Sequence, residues 1–188
     1  MISIRRARPG DAAGIGAVHV AAWRSTYAGL LPDEYLAGLS AVRHAVVYGR
    51  GIGDRSDGHA IFVAVATGDD APAGRESLVV GFASGGRARR PGLGEGEIET
   101  LYLLDDYKDR GLGRRLLRAM AAHLAAVGCR SAMLWVLEAN PTRWFYQHLG
   151  GRPAAQENIR FAGQAVTQLA FAWEPIEVLL TATAPQAH

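Results

Sequence analysis

Residues 97–128 read EIETLYLLDDYKDRGLGRRLLRAMAAHLAAVG, and the change of pattern inside this stretch decides the fold. Its first eight residues are rich in β-formers and predict a strand over 97–104. From position 112 the period changes. Leu112, Leu116, Leu117, Met120, Leu124 and Val127 fall on one helical face, Arg114, Arg115 and Arg118 on the other, and Gly128 supplies a stop. Between strand and helix stand Gly111 and Gly113. Glycine is a costly choice at a helix start unless the backbone has to be bare. The first amides of a helix have no intrahelical partner and carry the positive end of its dipole. Two glycines there would let a phosphate reach those amides without meeting a Cβ, and Lys108, Arg110, Arg114 and Arg115 would add charge. A plain connection with a solvated arginine face gives the same letters, so the turn alone leaves both readings open.

Working outward, Ile2–Ala7 predicts a first strand that turns at Pro9-Gly10. A helix capped by Asp11 follows, with Ile15, Val18, Ala22 and Trp23 on one face. LPDEYLAGL and SAVRHAVVYGR predict two short helices, the second capped by Ser40, and 51–59 reads as a loop. AIFVAVA and SLVVGFASG predict strands joined by the polar segment 67–76, and 86–96 is a further connection. After the long helix, SAMLWVLEA predicts a buried strand, PTRWFYQHLGG a short helix with a glycine stop, and AVTQLAFAW a last strand. No repeat or linker interrupts the chain. The reading is one α/β or α+β domain over 1–175 with a mixed sheet, followed by a disordered tail over 176–188.

Composition narrows the function. A chain of 188 residues can bury roughly 70% of its unfolded surface. Twenty Lys and Arg against 18 Asp and Glu leave a net charge of +2, too small to argue for a nucleic-acid partner. No apolar run predicts a membrane span or a leader peptide. Cys129 is the one cysteine, which excludes an intrachain disulfide and a multi-cysteine metal site and suits a reducing cytoplasm. The six histidines show no i,i+4 pair, so no metal is expected. Two nucleotide motifs fail: a dinucleotide fingerprint wants a small residue where Leu116 stands, and GDRSDGHA lacks the Lys-Ser/Thr of a phosphate-binding loop.

The segment LYLLDDYKDRGLGRRLL resembles the coenzyme A pyrophosphate-binding segment of the GNAT acetyltransferase superfamily, with Lys108 in place of the usual Gln or Arg. LWVLEANPTRWFYQHLGG resembles the next strand and helix of that family, although Gly151 replaces the usual phenylalanine. AAWRSTYAGLLPDEYL is similar to the entry helices of many bacterial members. The resemblance implies a mixed, mostly antiparallel central sheet flanked by helices, and acetyl-CoA as co-substrate. It implies an amine acceptor, either a small molecule or a peptide. Members often dimerise, and AVTQLAFAW is the candidate contact.

The same resemblance assigns roles. Pantetheine would pair with the backbone of Leu101, Tyr102 and Leu103, and Lys108, Asp109, Arg110, Gly111, Leu112, Gly113 and Arg114 would hold the pyrophosphate, with Asn140 touching the cofactor. Tyr146 would protonate the departing sulfur. Counting back from Gly111, Glu97 aligns with the glutamate that some members use as general base. Glu99 lies two residues on, expected on the same strand face, with Ile98 and Thr100 opposite. Trp23, Tyr27 and Tyr35, with Glu99, would line the acceptor pocket. A non-catalytic acyl-CoA sensor on the same scaffold is the alternative.

Overall fold

The computed structural model describes residues 1–185. Its strands are β1 (Ile2–Arg6), β2 (Ala60–Thr67), β3 (Ser77–Arg87), β4 (Gly96–Leu103), β5 (Ala132–Leu137), β6 (Arg152–Phe161) and β7 (Gln164–Trp173). They form a seven-stranded sheet in the order β1-β2-β3-β4-β5-β7-β6. All neighbours are antiparallel except β4 and β5. The helices are α1 (Ala12–Tyr27), α2 (Asp33–Gly38), α3 (Ala41–Gly53), α4 (Leu112–Ala126), α5 (Arg143–His148) and α6 (Glu177–Ala182). Among the described residues no helix is long and apolar enough to cross a membrane.

Each sheet face buries its own core. Ile15 and Val18 of α1 pack with Ile61, Val63, Val65, Val79 and Phe82 on one side. On the other, Leu112, Leu116, Leu117, Met120 and Leu124 of α4 pack over Ala64, Val80, Ala83 and Ile98. This is the apolar stripe read from the sequence, and Gly128 ends the helix with φ +91°. Ser40 caps α3 by accepting from Arg43 N at 3.3 Å.

Several expectations change. Asp11 precedes α1 but does not cap it; its carboxylate accepts from Arg8 N at 2.7 Å and from both Arg5 Nη atoms. Residues 51–53 belong to α3 rather than to the loop. β6 was not foreseen. The tail expected to be disordered from 176 is instead anchored: Ile176 and Leu179 are fully buried in the α4 core, and Ile176 N bonds Arg130 O at 2.8 Å. Of that tail, 186–188 lie outside the described residues. β7, the strand proposed for a contact between copies, lies between β5 and β6 with both edges paired, so β6 occupies the sheet edge there.

Candidate active site

Parallel β4 and β5 pair only at Gly96 with Ala132 and Glu97 with Met133. Beyond those pairs the strands part, and a cavity of about 690 Å³ opens between them. Leu101, Tyr102 and Leu103 form one wall and Leu134–Leu137 the other. Unpaired strand backbone facing a cavity is ready to accept an extended ligand as an added strand.

One end of the cleft is the glycine turn. Gly111 sits at the N-cap of α4 in the left-handed region (φ +71°), a conformation that costs an L side chain about 1–2 kcal/mol. The first α-helical bond runs from Arg115 N to Gly111 O, so the amides of Leu112, Gly113 and Arg114 precede the ladder. A Cβ on Gly111 would meet no protein atom within 4 Å. At Gly113 it would make only ordinary contacts, 3.6 Å from Leu103 and Phe145. The bareness of this turn is therefore not demanded by packing within the protein.

The cations around the turn are mostly engaged. Lys108 pairs with Asp105 at 2.5 Å, and Arg110 lies 3.6 Å from Asp70 and over the Tyr107 ring. Arg115 bonds Ile2 O. Arg114 donates from Nη2 to Ala182 O at 2.5 Å, while its buried Nε has no partner. Lys108, Asp109, Leu112 and Arg114 line the cleft; Arg110 does not.

Tyr146, on α5, is 6% exposed and lines the cleft midway, packed among Phe145, Phe171 and Trp173. Burial pushes its hydroxyl well above the ordinary tyrosine range, so the group keeps its proton. Asn140 also lines the cleft. Its Oδ1 accepts from Thr142 N at 2.9 Å, fixing the turn into α5, and its Nδ2 donates to the Tyr27 hydroxyl at 3.1 Å. One asparagine thus fastens the end of β5 to α1.

At the far end β4 carries a bulge. Gly85 pairs with Ile98 and Ser84 with Thr100, leaving Glu99 as the extra residue. The bulge breaks the expected alternation: Thr100 stands on the face of Ser84, their hydroxyls 2.7 Å apart. Glu99 lines the cleft, whereas Glu97 is not part of its wall and lies 3.9 Å from Arg89. Glu99 Oε2 is 3.6 Å from His59 Nε2, and its Oε1 is 3.0 Å from Arg89 Nη2. The His59 bond, then the Arg89 charge, hold this carboxyl below the usual range against the opposing effect of burial, and Glu99 in turn raises His59.

The wall also carries a group of packed aromatic rings. Trp23 lies 4.8 Å from Tyr27 and 5.6 Å from Phe161, ring centre to ring centre. Tyr35 stands behind Phe161 at 5.2 Å and does not line the cleft. The sequence reading missed Ile159, Phe161 and Gln168, which reach the cleft from the β6–β7 hairpin. The alternation of Ile159 and Phe161 was the available signal, a weak one for an edge strand that begins Arg-Pro.

Residues 23–150 match the model of the Acetyltransferase (GNAT) family. An uncharacterized N-acetyltransferase of Bacillus subtilis (strain 168), YuaI, is 30% identical over 182 residues, covering 96% of this chain and 98% of the relative. Among solved structures, the PaiA N-acetyltransferase of Thermoplasma acidophilum in complex with coenzyme A superposes with a TM-score of 0.66 at 20% identity, covering 89% of this chain and 98% of that one. YncA of Salmonella typhimurium, solved with its cofactor acetyl-CoA, gives 0.64 at 20% identity, covering 93% and 94%. With the family model spanning most of its length and its sheet shared with these structures, the chain belongs to the GNAT family of acetyltransferases.

Proposed function

We propose that the protein transfers an acetyl group from acetyl-CoA directly to a primary amine, both substrates being bound together. The observation that carries this reading is the continuity of the cleft. It runs from the bare helix start at Gly111 and Gly113, along the unpaired wall of β4 and past Tyr146, to the carboxylate of Glu99. The residues fit the donor. The turn leaves room for a pyrophosphate that a Cβ would fill, the amides ahead of Arg115 have no place in the helical ladder, and the buried Arg114 Nε lacks a partner. When bound, the thioester supplies the activated acetyl group.

The chain's own groups account for the protons. An amine with a basicity near that of lysine arrives as an ammonium at neutral pH. Glu99, held ionised by His59 and Arg89, accepts a proton from it, and the freed nitrogen attacks the thioester carbonyl. The sulfur leaves as a thiolate and takes the Tyr146 proton, which burial keeps on the ring oxygen before reaction, and the second proton that the nitrogen sheds as the amide forms restores that hydroxyl. Glu99 lines the cleft and Glu97 does not, which supports Glu99 as the base in place of Glu97.

The test is a thiol-release assay of an amine panel with acetyl-CoA, paired with calorimetry of cofactor binding. Tyr146→Phe should retain acetyl-CoA affinity while turnover falls by roughly 10²–10⁴. Glu99→Gln should lower the rate most at neutral pH and recover toward alkaline pH as free amine accumulates, with Glu97→Gln much less affected. Full activity of Glu99→Gln alongside a defective Glu97→Gln would return the base to Glu97. Cofactor binding without turnover on any amine would favour a sensor.

A further inference from the structure

We propose that the acceptor is an amino acid with an apolar side chain, and that its carboxylate takes Arg89 away from Glu99 as it binds. This rests on the acetyl-transfer reading above and gives it a substrate class. The proposed base does not stand free. One oxygen of Glu99 is 3.0 Å from Arg89 Nη2 and the other faces His59. Arg89 comes from the β3–β4 connection and its side chain is 72% exposed, against 24% for Glu99. An ion pair this open to water contributes little to stability, so a change of partner is cheap. The planar fork of arginine is also suited to a carboxylate brought in by a ligand.

Spacing sets the class. Arg89 and Glu99 are in contact, so a ligand satisfying both must carry its own cation and anion close together. An ammonium and a carboxylate on the same or adjacent carbons meet that condition; a long diamine or an isolated amine does not. As the carboxylate engages Arg89, Glu99 Oε1 exchanges the guanidinium for the ammonium whose proton it must take. Recognition of the acid and release of the base are then one event. Among the described residues that line the cleft the Lys and Arg side chains are Lys108 and Arg114, both of the glycine turn. The carboxylate end is served by Arg89 and His59, which touch Glu99 without lining the wall, and of these two only arginine offers a carboxylate a planar fork. Away from the glycine turn the wall carries Trp23, Tyr27, Tyr102, Trp135, Ile159 and Phe161, with Thr26, Thr100 and Gln168 among them, and this aromatic and aliphatic share suits an apolar side chain. Arg90, the next residue, is committed elsewhere, over the Trp135 ring and paired with Glu157.

The experiment measures acetyl-CoA-dependent kcat/KM for L-leucine, L-methionine and L-phenylalanine beside their carboxamides. Each is followed against pH, because the amide's amine is the less basic. The acids should exceed their amides by about 10- to 100-fold, the range of a charged hydrogen-bonded contact. Arg89→Gln should bring that ratio to near unity by lowering the acids, Arg89→Lys should restore part of it, and Arg90→Gln should leave the ratio as it is. Amides turned over as well as acids, or an unchanged ratio in Arg89→Gln, would overturn the proposal while leaving acetyl transfer intact. Collapse of the ratio in Arg90→Gln instead would overturn the assignment to Arg89. Acetylation of simple amines but of none of these amino acids would overturn the substrate class. Cofactor binding without acetylation of any amine would overturn acetyl transfer itself, and this inference with it.

Discussion

Gly113 is a residue whose smallness the protein does not need for itself. A methyl there would find ordinary van der Waals distances to Leu103 and Phe145, and alanine is the better helix former by about 1 kcal/mol. Gly113→Ala should therefore leave urea stability unchanged or raise it by up to about 1 kcal/mol, while acetyl-CoA affinity measured by calorimetry falls tenfold or more. Equal affinity in the two proteins would remove the pyrophosphate from this turn. Gly111→Ala differs, because φ +71° adds backbone strain of about 1–2 kcal/mol to any loss of binding. The two glycines were legible in the sequence, as were the neighbourhoods of Asn140 and Tyr146, because turn chemistry is local. Glu99 was not separable from Glu97. Strict alternation puts both carboxylates on one face, and only the pairing of Ser84 with Thr100 reveals the bulge that re-aims the strand.

At the scale of elements, legibility followed the strength of the periodic signal. α4 shows a full apolar stripe whose period picks out every buried residue of the helix except Ala121, with Val127 falling just beyond its end. β6 and α6 share a weak signal: each contributes only a few apolar side chains, and a proline stands inside β6 and two residues ahead of α6. Pro153 is tolerated because β6 is an edge strand, where a missing amide costs little. α6 is six residues long and gains its stability from what it touches. Leu179 is 0% exposed in the α4 core, and the last carbonyls of α6 accept from Arg114 and Arg118. The helix therefore holds in place an arginine at the very start of α4. Leu179→Ala should cost about 2–5 kcal/mol of unfolding free energy in urea. Val178→Ala, at a position 39% exposed, should cost well under 1 kcal/mol. Equal small effects at both positions would mean that α6 is not part of the core.

Across the whole molecule, the α1 face of the sheet is closed by a buried histidine. His19 joins α1 to α3 through a 2.8 Å hydrogen bond with Tyr48, stacks on His44 at 3.8 Å, and meets Tyr102 of β4 edge-on at 5.2 Å. Burial, reinforced by the neighbouring His44, lowers its pKa to about 4. In the unfolded chain the group titrates near 6.5, so between these values the unfolded state binds more protons and stability rises with pH. The contribution is complete above the unfolded value and is lost as pH falls toward 4, about 3 kcal/mol in all. His59 acts with the opposite sign: its pKa is raised by Glu99, so what it contributes is present in acid and lost as pH rises through its folded value. It therefore offsets part of the fall on the acid side. His19→Asn keeps a polar side chain beside Tyr48 but does not titrate. Urea denaturation at pH 8, 6, 5 and 4 should show the wild type losing stability steeply below pH 6.5 and the variant losing about 3 kcal/mol less over the same interval. At pH 8 the variant should be the less stable, because the packed imidazole is gone. Parallel curves for the two proteins would show that His19 accepts its proton without cost to the fold, and that other groups govern acid unfolding. If the curves diverge, the acid limit of the fold and the wall carrying Trp23 and Tyr102 depend on the same histidine, and cofactor affinity should fail over the same pH range as stability.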